Sequence, residues 1–172
     1  LVLAHSRMMA DELRRYYDVP EARIRVLYPP VDVETFNPVD AARRAELRRE
    51  LGIPEGTTAF LFPSTGHERK GYPMLEACFG ATDLPVSLLV AGRPVEPRSP
   101  KIRYVGYRQD ITDCYRAADY TILASRYEPF GLVGPESVLC GTPTVLPRGI
   151  GSTEALSAEA CLAFDVDTPA SL

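Results

Sequence analysis

Two hydrophobic periods take turns along this chain, one suited to strands and one to helices. Residues 1–4 are a short apolar run that reads as a strand, and Ser6 then stands as the N-cap of a helix running to Tyr17. Over residues 23–28, Ile24, Val26 and Tyr28 alternate with Arg23, Arg25 and Leu27, which predicts a second strand. Pro29-Pro30 and Asn37-Pro38 break the chain into a loop. Residues 40–51 are strong helix formers that stop at Gly52, a helix-ending signal. Further strands are predicted over 59–62, 86–91, 102–105, 120–124 and 144–146, and helices over 70–81, 110–118 and 132–140. Pro73 is tolerated because it falls in the first turn of its helix. The run over 86–91 is apolar without a break, as in strands covered on both faces. Alternation at this spacing predicts β-α-β units with right-handed crossovers. The fold class is therefore α/β, an open parallel sheet with flanking helices, in one domain over 1–172.

Composition narrows the class without choosing a function. The chain has 172 residues, 45% hydrophobic and 24% charged, which is ordinary for a globular domain. Such a length buries about 70% of the surface of the unfolded chain. A formal charge of −4 argues against a protein that coats nucleic acid. No apolar run nears the roughly 20 residues of a membrane span, and no secretory segment opens the chain, so a cytoplasmic location is expected. Cys78, Cys114, Cys140 and Cys161 form no C-x-x-C pair and read as buried reduced thiols, not zinc ligands. Asp165-Val166-Asp167 reads as a polar turn, and no metal is expected. The basic residues are almost all Arg, only Lys70 and Lys101 being Lys. The chain opens on Leu1-Val2-Leu3, from which a piece of a longer protein is expected.

Two loops that follow predicted strands carry chemistry. In 128–136, Glu-Pro-Phe-Gly-Leu-Val-Gly-Pro-Glu, the carboxylates Glu128 and Glu136 flank a glycine-containing loop that feeds a helix. Gly131 and Gly134 allow close approach of a ligand to the backbone, and a helix amino end suits a phosphate. Carboxylates accept hydrogen bonds from vicinal hydroxyls, as on a sugar or a ribose. A glycine-rich turn with a capping Glu fits the same residues. In 64–71, Ser-Thr-Gly-His-Glu-Arg-Lys-Gly, Arg69 and Lys70 stand where a helix begins. Cations there oppose the helix dipole and make sense beside an anion such as a diphosphate. A solvated basic pair is the plainer alternative. Neither a P-loop nor G-x-G-x-x-G is present.

These stretches together resemble the carboxyl-terminal, donor-binding lobe of the GT-B glycosyltransferases of retaining family 4, also called group 1. The resemblance rests on Arg69-Lys70-Gly71, Tyr104-Val105-Gly106, residues 115–119 (Tyr-Arg-Ala-Ala-Asp), residues 125–132 with Glu136, and residues 140–145 (Cys-Gly-Thr-Pro-Thr-Val). Pro30-Val31-Asp32 and Phe36-Asn37-Pro38 resemble the stretch entering that lobe. The resemblance implies a Rossmann-like fold that binds a nucleotide-diphosphate sugar for transfer with retention, without a cofactor. It implies that Lys70 grips the diphosphate, that Glu128 contacts sugar hydroxyls, and that Glu136 bonds the ribose. Backbone N–H groups of Phe130, Gly131, Leu132 and Val133 would hold sugar and phosphate. Tyr107 and Arg108 sit where the family contacts the base.

Two departures stand out. The family places an Arg, after a Gly, upstream of the Lys, where Ser64 or Thr65 stands here; either Arg69 supplies the lost charge or the phosphate grip is weaker. The acceptor-binding amino-terminal lobe and the closing helix are expected to lie outside this chain, leaving the piece inactive alone. Peripheral attachment to the inner membrane face stays open for the whole protein. Two other readings stay open: a catalytically silent nucleotide-sugar-binding scaffold, and another GT-B enzyme such as a sugar-nucleotide epimerase.

Overall fold

The structure is a computed structural model that describes residues 1–167; the last five residues of the expected domain lie outside the described residues. The chain opens with β1 (Val2–Ala4), α1 (Arg7–Tyr17) and β2 (Ile24–Val26). These two strands pair in parallel as a sheet of their own. Ser6 caps α1 by accepting the Met9 N–H at 3.0 Å, as its place before the periodic stretch predicts. The second strand is shorter than the alternation over 23–28 suggests. Tyr28 leaves it to stack on Phe130, with ring centroids 5.6 Å apart.

After α2 (Ala41–Glu50) come β3 (Thr58–Ser64), α3 (Tyr72–Ala81), β4 (Val86–Gly92), β5 (Ile102–Gly106) and α4 (Thr112–Ala117). Then follow β6 (Tyr120–Ile122), α5 (Val133–Leu139), β7 (Thr144–Pro147) and β8 (Cys161–Phe164). The six strands β3 to β8 form one parallel sheet in the order β5-β4-β3-β6-β7-β8. Strand β8 was not legible in the sequence. Cys161 to Phe164 are only four residues without polar alternation, and pairing with β7 makes them a strand. The Asp165–Asp167 stretch beyond it is a turn, closed by the Asp167 N–H on the Asp165 carboxylate at 3.0 Å.

Side-chain alternation sorts the core into two layers. Phe62, Leu88, Val90, Ile122 and Leu146 face α3, packing on Tyr72, Leu75 and Phe79. Ala59, Leu61, Leu89 and Ala91 face the opposite way, against Leu47 and Leu51 of the α2 region and Cys114 and Tyr115 of α4. The unbroken apolar run of β4 is thus buried on both sides, as expected. On the α3 side, Phe60, Tyr120, Ile122, Val145 and Leu162 border an apolar groove of about 470 Å³ toward the amino ends of the strands.

Several sequence markers prove architectural. Asp119 takes Arg44 at 2.7 Å, Arg48 at 3.0 Å and the Ala59 N–H at 2.8 Å, tying α2 to the start of β3 and β6. Those contacts hold its carboxyl below the usual range against the opposing effect of burial. Ser137 donates to the Thr142 carbonyl and Thr142 to the Tyr115 carbonyl, which fixes the Gly-Thr-Pro turn against α4.

Candidate functional site

In open parallel sheets the carboxyl ends of the strands face the ligand, and the two loops singled out in the sequence both stand there. The loop after β3 is built on itself. The Ser64 hydroxyl accepts the Gly66 N–H at 3.2 Å, and the Lys70 N–H reaches the Gly66 carbonyl at 3.0 Å. His67 donates from Nε2 to the Arg93 carbonyl at 2.8 Å, with its ring against Phe62 and Tyr72. Helix α3 begins at Tyr72, so Arg69 and Lys70 lie in the turn before it and not within it. The cause is Gly71, the N-cap residue, at φ +80°. A Cβ at Gly71 would lie 2.1 Å from the Ala124 carbonyl oxygen, where the Ala124 N–H bonds the Lys70 carbonyl at 3.1 Å. The helix cannot extend back through that contact.

Lys70 turns inward. Its Nζ donates to the Pro63 carbonyl at 3.3 Å and faces a cavity of about 230 Å³. Ser64, Thr65, Tyr107, Arg108, Val133 and Glu136 line the same cavity. Glu136 is half-buried and accepts the Tyr115 hydroxyl at 2.9 Å. Burial lowers the Lys70 pKa, and Glu128 and Glu136 offset part of that effect. Burial raises the Glu136 pKa, opposed by the Tyr115 hydrogen bond and by Lys70. Tyr115 itself is pushed well above the ordinary tyrosine value, first by burial. The cavity therefore holds a partly desolvated cation facing a carboxylate acceptor, a pairing suited to an anionic group beside hydroxyls.

Arg69 turns the other way. It binds the Glu128 carboxylate at 2.6 Å and lines a second cavity of about 660 Å³ with Glu68, Arg126, Tyr127 and Pro129. Glu128 is 12% exposed and Arg69 60%, so the pair sits at the rim. The expectation that Arg69 joins Lys70 on one anion is thus not met by this geometry. The turn before α3 splays the two side chains apart, and the Glu128 carboxylate claims the guanidinium.

The structure brings together Lys70, Glu136, Ser64, Thr65, Tyr107, Arg108 and Val133 from the residues expected on sequence grounds. Phe130, Gly131 and Leu132 are not among the residues lining that cavity: Phe130 is buried against Tyr28, while Gly131 takes φ +84° and Leu132 is 40% exposed. The loop is held from below. The Gly151 N–H reaches the Glu128 carbonyl at 3.1 Å and the Ser152 N–H the Phe130 carbonyl at 2.7 Å. Tyr115 is the site residue the sequence reading missed, since its motif pointed to α4 and not across to Glu136. Among the described residues no cluster of three or more His, Cys, Asp or Glu could hold a metal ion, and no helix is long and apolar enough to cross a membrane.

The class follows from fold and site together. Anabaena HepE, solved in complex with UDP, matches with a TM-score of 0.84 at 20% identity, over 96% of this chain and 50% of that one. Sucrose-phosphate synthase from Thermosynechococcus elongatus matches with a TM-score of 0.81 at 23% identity, over 99% of this chain and 46% of the other. The fold is that of one lobe of the GT-B glycosyltransferases. Residues 57–172 match the family model for glycosyl transferases group 1, and the chain belongs to that family. A probable transglycosylase of Burkholderia thailandensis is 55% identical over 163 residues, which cover 95% of this chain and 45% of that protein. A D-inositol 3-phosphate glycosyltransferase of Xylanimonas cellulosilytica is 33% identical, over 84% of this chain and 39% of its own length. The chain spans less than half of each of these two relatives.

Proposed function

We propose that this chain is the donor-binding lobe of a retaining family 4 glycosyltransferase and that it binds a nucleotide-diphosphate sugar. The observation that carries the reading is the cavity in which Lys70 and Glu136, from loops far apart in sequence, face one space at the carboxyl ends of the strands. Lys70 holds the diphosphate, and Glu136, steadied by Tyr115, takes the ribose hydroxyls. Ser64 and Thr65 border the diphosphate, while Tyr107 and Arg108 face the base. Backbone N–H groups of Phe130, Gly131, Leu132 and Val133 approach the sugar and phosphate. Glu128 receives the sugar hydroxyls, with Arg69 orienting its carboxylate from the far side. The UDP complex of HepE supports a nucleotide ligand in this fold.

The lobe's contribution to transfer is positioning together with stabilisation of charge on the departing diphosphate. Lys70 supplies that stabilisation, and no resident metal or cofactor is assigned. The acceptor enters from the remainder of a longer protein, so this lobe alone does not complete transfer. Peripheral contact with the inner membrane face would belong to that whole protein. A cytoplasmic setting agrees with four free cysteines, of which Cys114 and Cys140 are pushed up to about 11 by burial and so are poorly reactive. At a net charge of −4, nucleic acid is not a partner in this reading.

One observation favours a second reading, a nucleotide-sugar-binding lobe without catalytic activity: Arg69 does not restore the charge missing at Ser64 and Thr65. Calorimetric titration with UDP, GDP, ADP and their sugar conjugates tests the binding that both readings share. Binding of one nucleotide, weakened by Glu136→Ala, is the expected result, and no binding to any of them contradicts it. Sugar transfer by the longer protein, lost in Lys70→Ala, separates the catalytic reading from the silent one.

A further inference from the structure

The β1–α1–β2 unit shares no strand pairing with the six-stranded sheet, yet it grips the loop that bears Glu128. Tyr127 donates its hydroxyl to the Glu12 carboxylate of α1 at 2.6 Å, and that bond is the first cause lifting its pKa to about 12. Phe130, 6% exposed, stacks on Tyr28 just beyond β2, with planes 23° apart. The Arg7 N–H at the start of α1 reaches Glu154 at 2.6 Å. Gly151 lies where the three parts meet. A Cβ there would stand 2.2 Å from the Pro129 carbonyl oxygen and 2.7 Å from Ser6 Cβ. The contacts through Tyr127 and Phe130 bracket Glu128 on both sides along the chain. The backbone of Glu128 is itself bridged to Ile150.

We propose that Tyr127 and Phe130 are positioning residues that fix Glu128 through Glu12 and Tyr28, so that the first β-α-β unit sets the geometry of the sugar end of the site. The inference rests on the donor-binding reading for what Glu128 touches. Its physical part, the hold on the loop, stands independently of that reading. Tyr127 points away from the Lys70 cavity, toward α1 and the Arg69 side, so its effect on a ligand passes through Glu128. The nucleotide end, built on Lys70, Tyr115 and Glu136, is anchored in the main sheet and does not depend on this hold.

Two measurements on the whole 172-residue chain test the proposal. Amide hydrogen exchange of Gly151 and Ser152, whose N–H groups bond the Glu128 and Phe130 carbonyls, should rise several-fold in Tyr127→Phe and in Glu12→Leu, and return toward the wild-type rate in Glu12→Gln, which keeps an oxygen acceptor. Exchange in β4 reports that the fold is intact. Unchanged exchange of Gly151 and Ser152 with an unchanged β4 overturns the hold. In calorimetry with UDP-glucose, GDP-mannose and ADP-glucose against UDP, GDP and ADP, Tyr127→Phe should weaken the sugar conjugate about fivefold, the size of one lost hydrogen bond, and leave the bare diphosphate unchanged. Equal loss for both ligands, or no loss for either, overturns the positioning role. If the wild-type chain binds none of the six, the donor reading fails and the positioning role with it, while the exchange result still decides whether the hold exists.

Discussion

Arg69 and Lys70 are neighbours in sequence and serve different cavities. Lys70 is half-buried, stripped of part of its water and directed at the space it shares with Glu136. Arg69 stays largely in solvent and is committed to Glu128. The difference arises in the backbone. Gly71 in its left-handed conformation stops α3 short and presses the turn against Ala124, so the two side chains leave the chain on opposite sides. A basic pair in a sequence therefore need not be one basic site. Desolvation is what distinguishes the two: a cation that has already given up water interacts strongly with a diphosphate, whereas a rim cation is screened.

The comparison can be broken in graded steps. Gly71→Ala attacks its cause. With the clash at Ala124 and a positive φ, it should destabilise the fold by about 2–4 kcal/mol, measured by denaturant unfolding. Lys70→Ala should weaken nucleotide-diphosphate binding about 10- to 100-fold, the loss expected for a charged contact out of bulk water. Glu136→Ala should cost about tenfold and act on nucleotide and conjugate alike, both read by calorimetry. Arg69→Ala should cost about threefold and only for the sugar conjugate, because an exposed ion pair contributes little.

The Lys70 shift adds a pH test of the same contrast. The ammonium is the form that binds an anion, so affinity should be full below the lowered Lys70 pKa and fall as pH rises through it, earlier than an ordinary lysine would allow. Glu136 and Glu128 both hold that value up. Glu136→Gln should therefore move the loss to still lower pH. A pH profile of affinity identical to that of a solvated lysine would remove desolvation from the account.

Much of this was legible in the sequence, for identifiable reasons. The β3-to-β7 succession followed from period changes and turn residues, and β4 from its unbroken apolar run. Glu136, Lys70, Tyr107 and Arg108 were expected to belong to one site, and the structure gathers them around one cavity. The direction of Arg69 was not legible, because it depends on a φ angle at Gly71 and on a carboxylate from a distant loop. Strand β8 and the role of Tyr28 were hidden for a related reason: each is defined by its partner, β7 in one case and Phe130 in the other. Tyr115 enters the sequence reading only as part of the 115–119 motif; in the structure it is a buried core aromatic, and its hydroxyl on Glu136 adds a second role.

The most direct test of the central claim is a paired titration of Lys70→Ala and Arg69→Ala with the nucleotide diphosphate that the wild-type chain binds and with its sugar conjugate. The account predicts that Lys70→Ala loses both ligands, while Arg69→Ala keeps the diphosphate at wild-type affinity and loses only the increment due to the sugar. Equal weakening of the bare diphosphate by the two substitutions would contradict it, since both cations would then act on one anion.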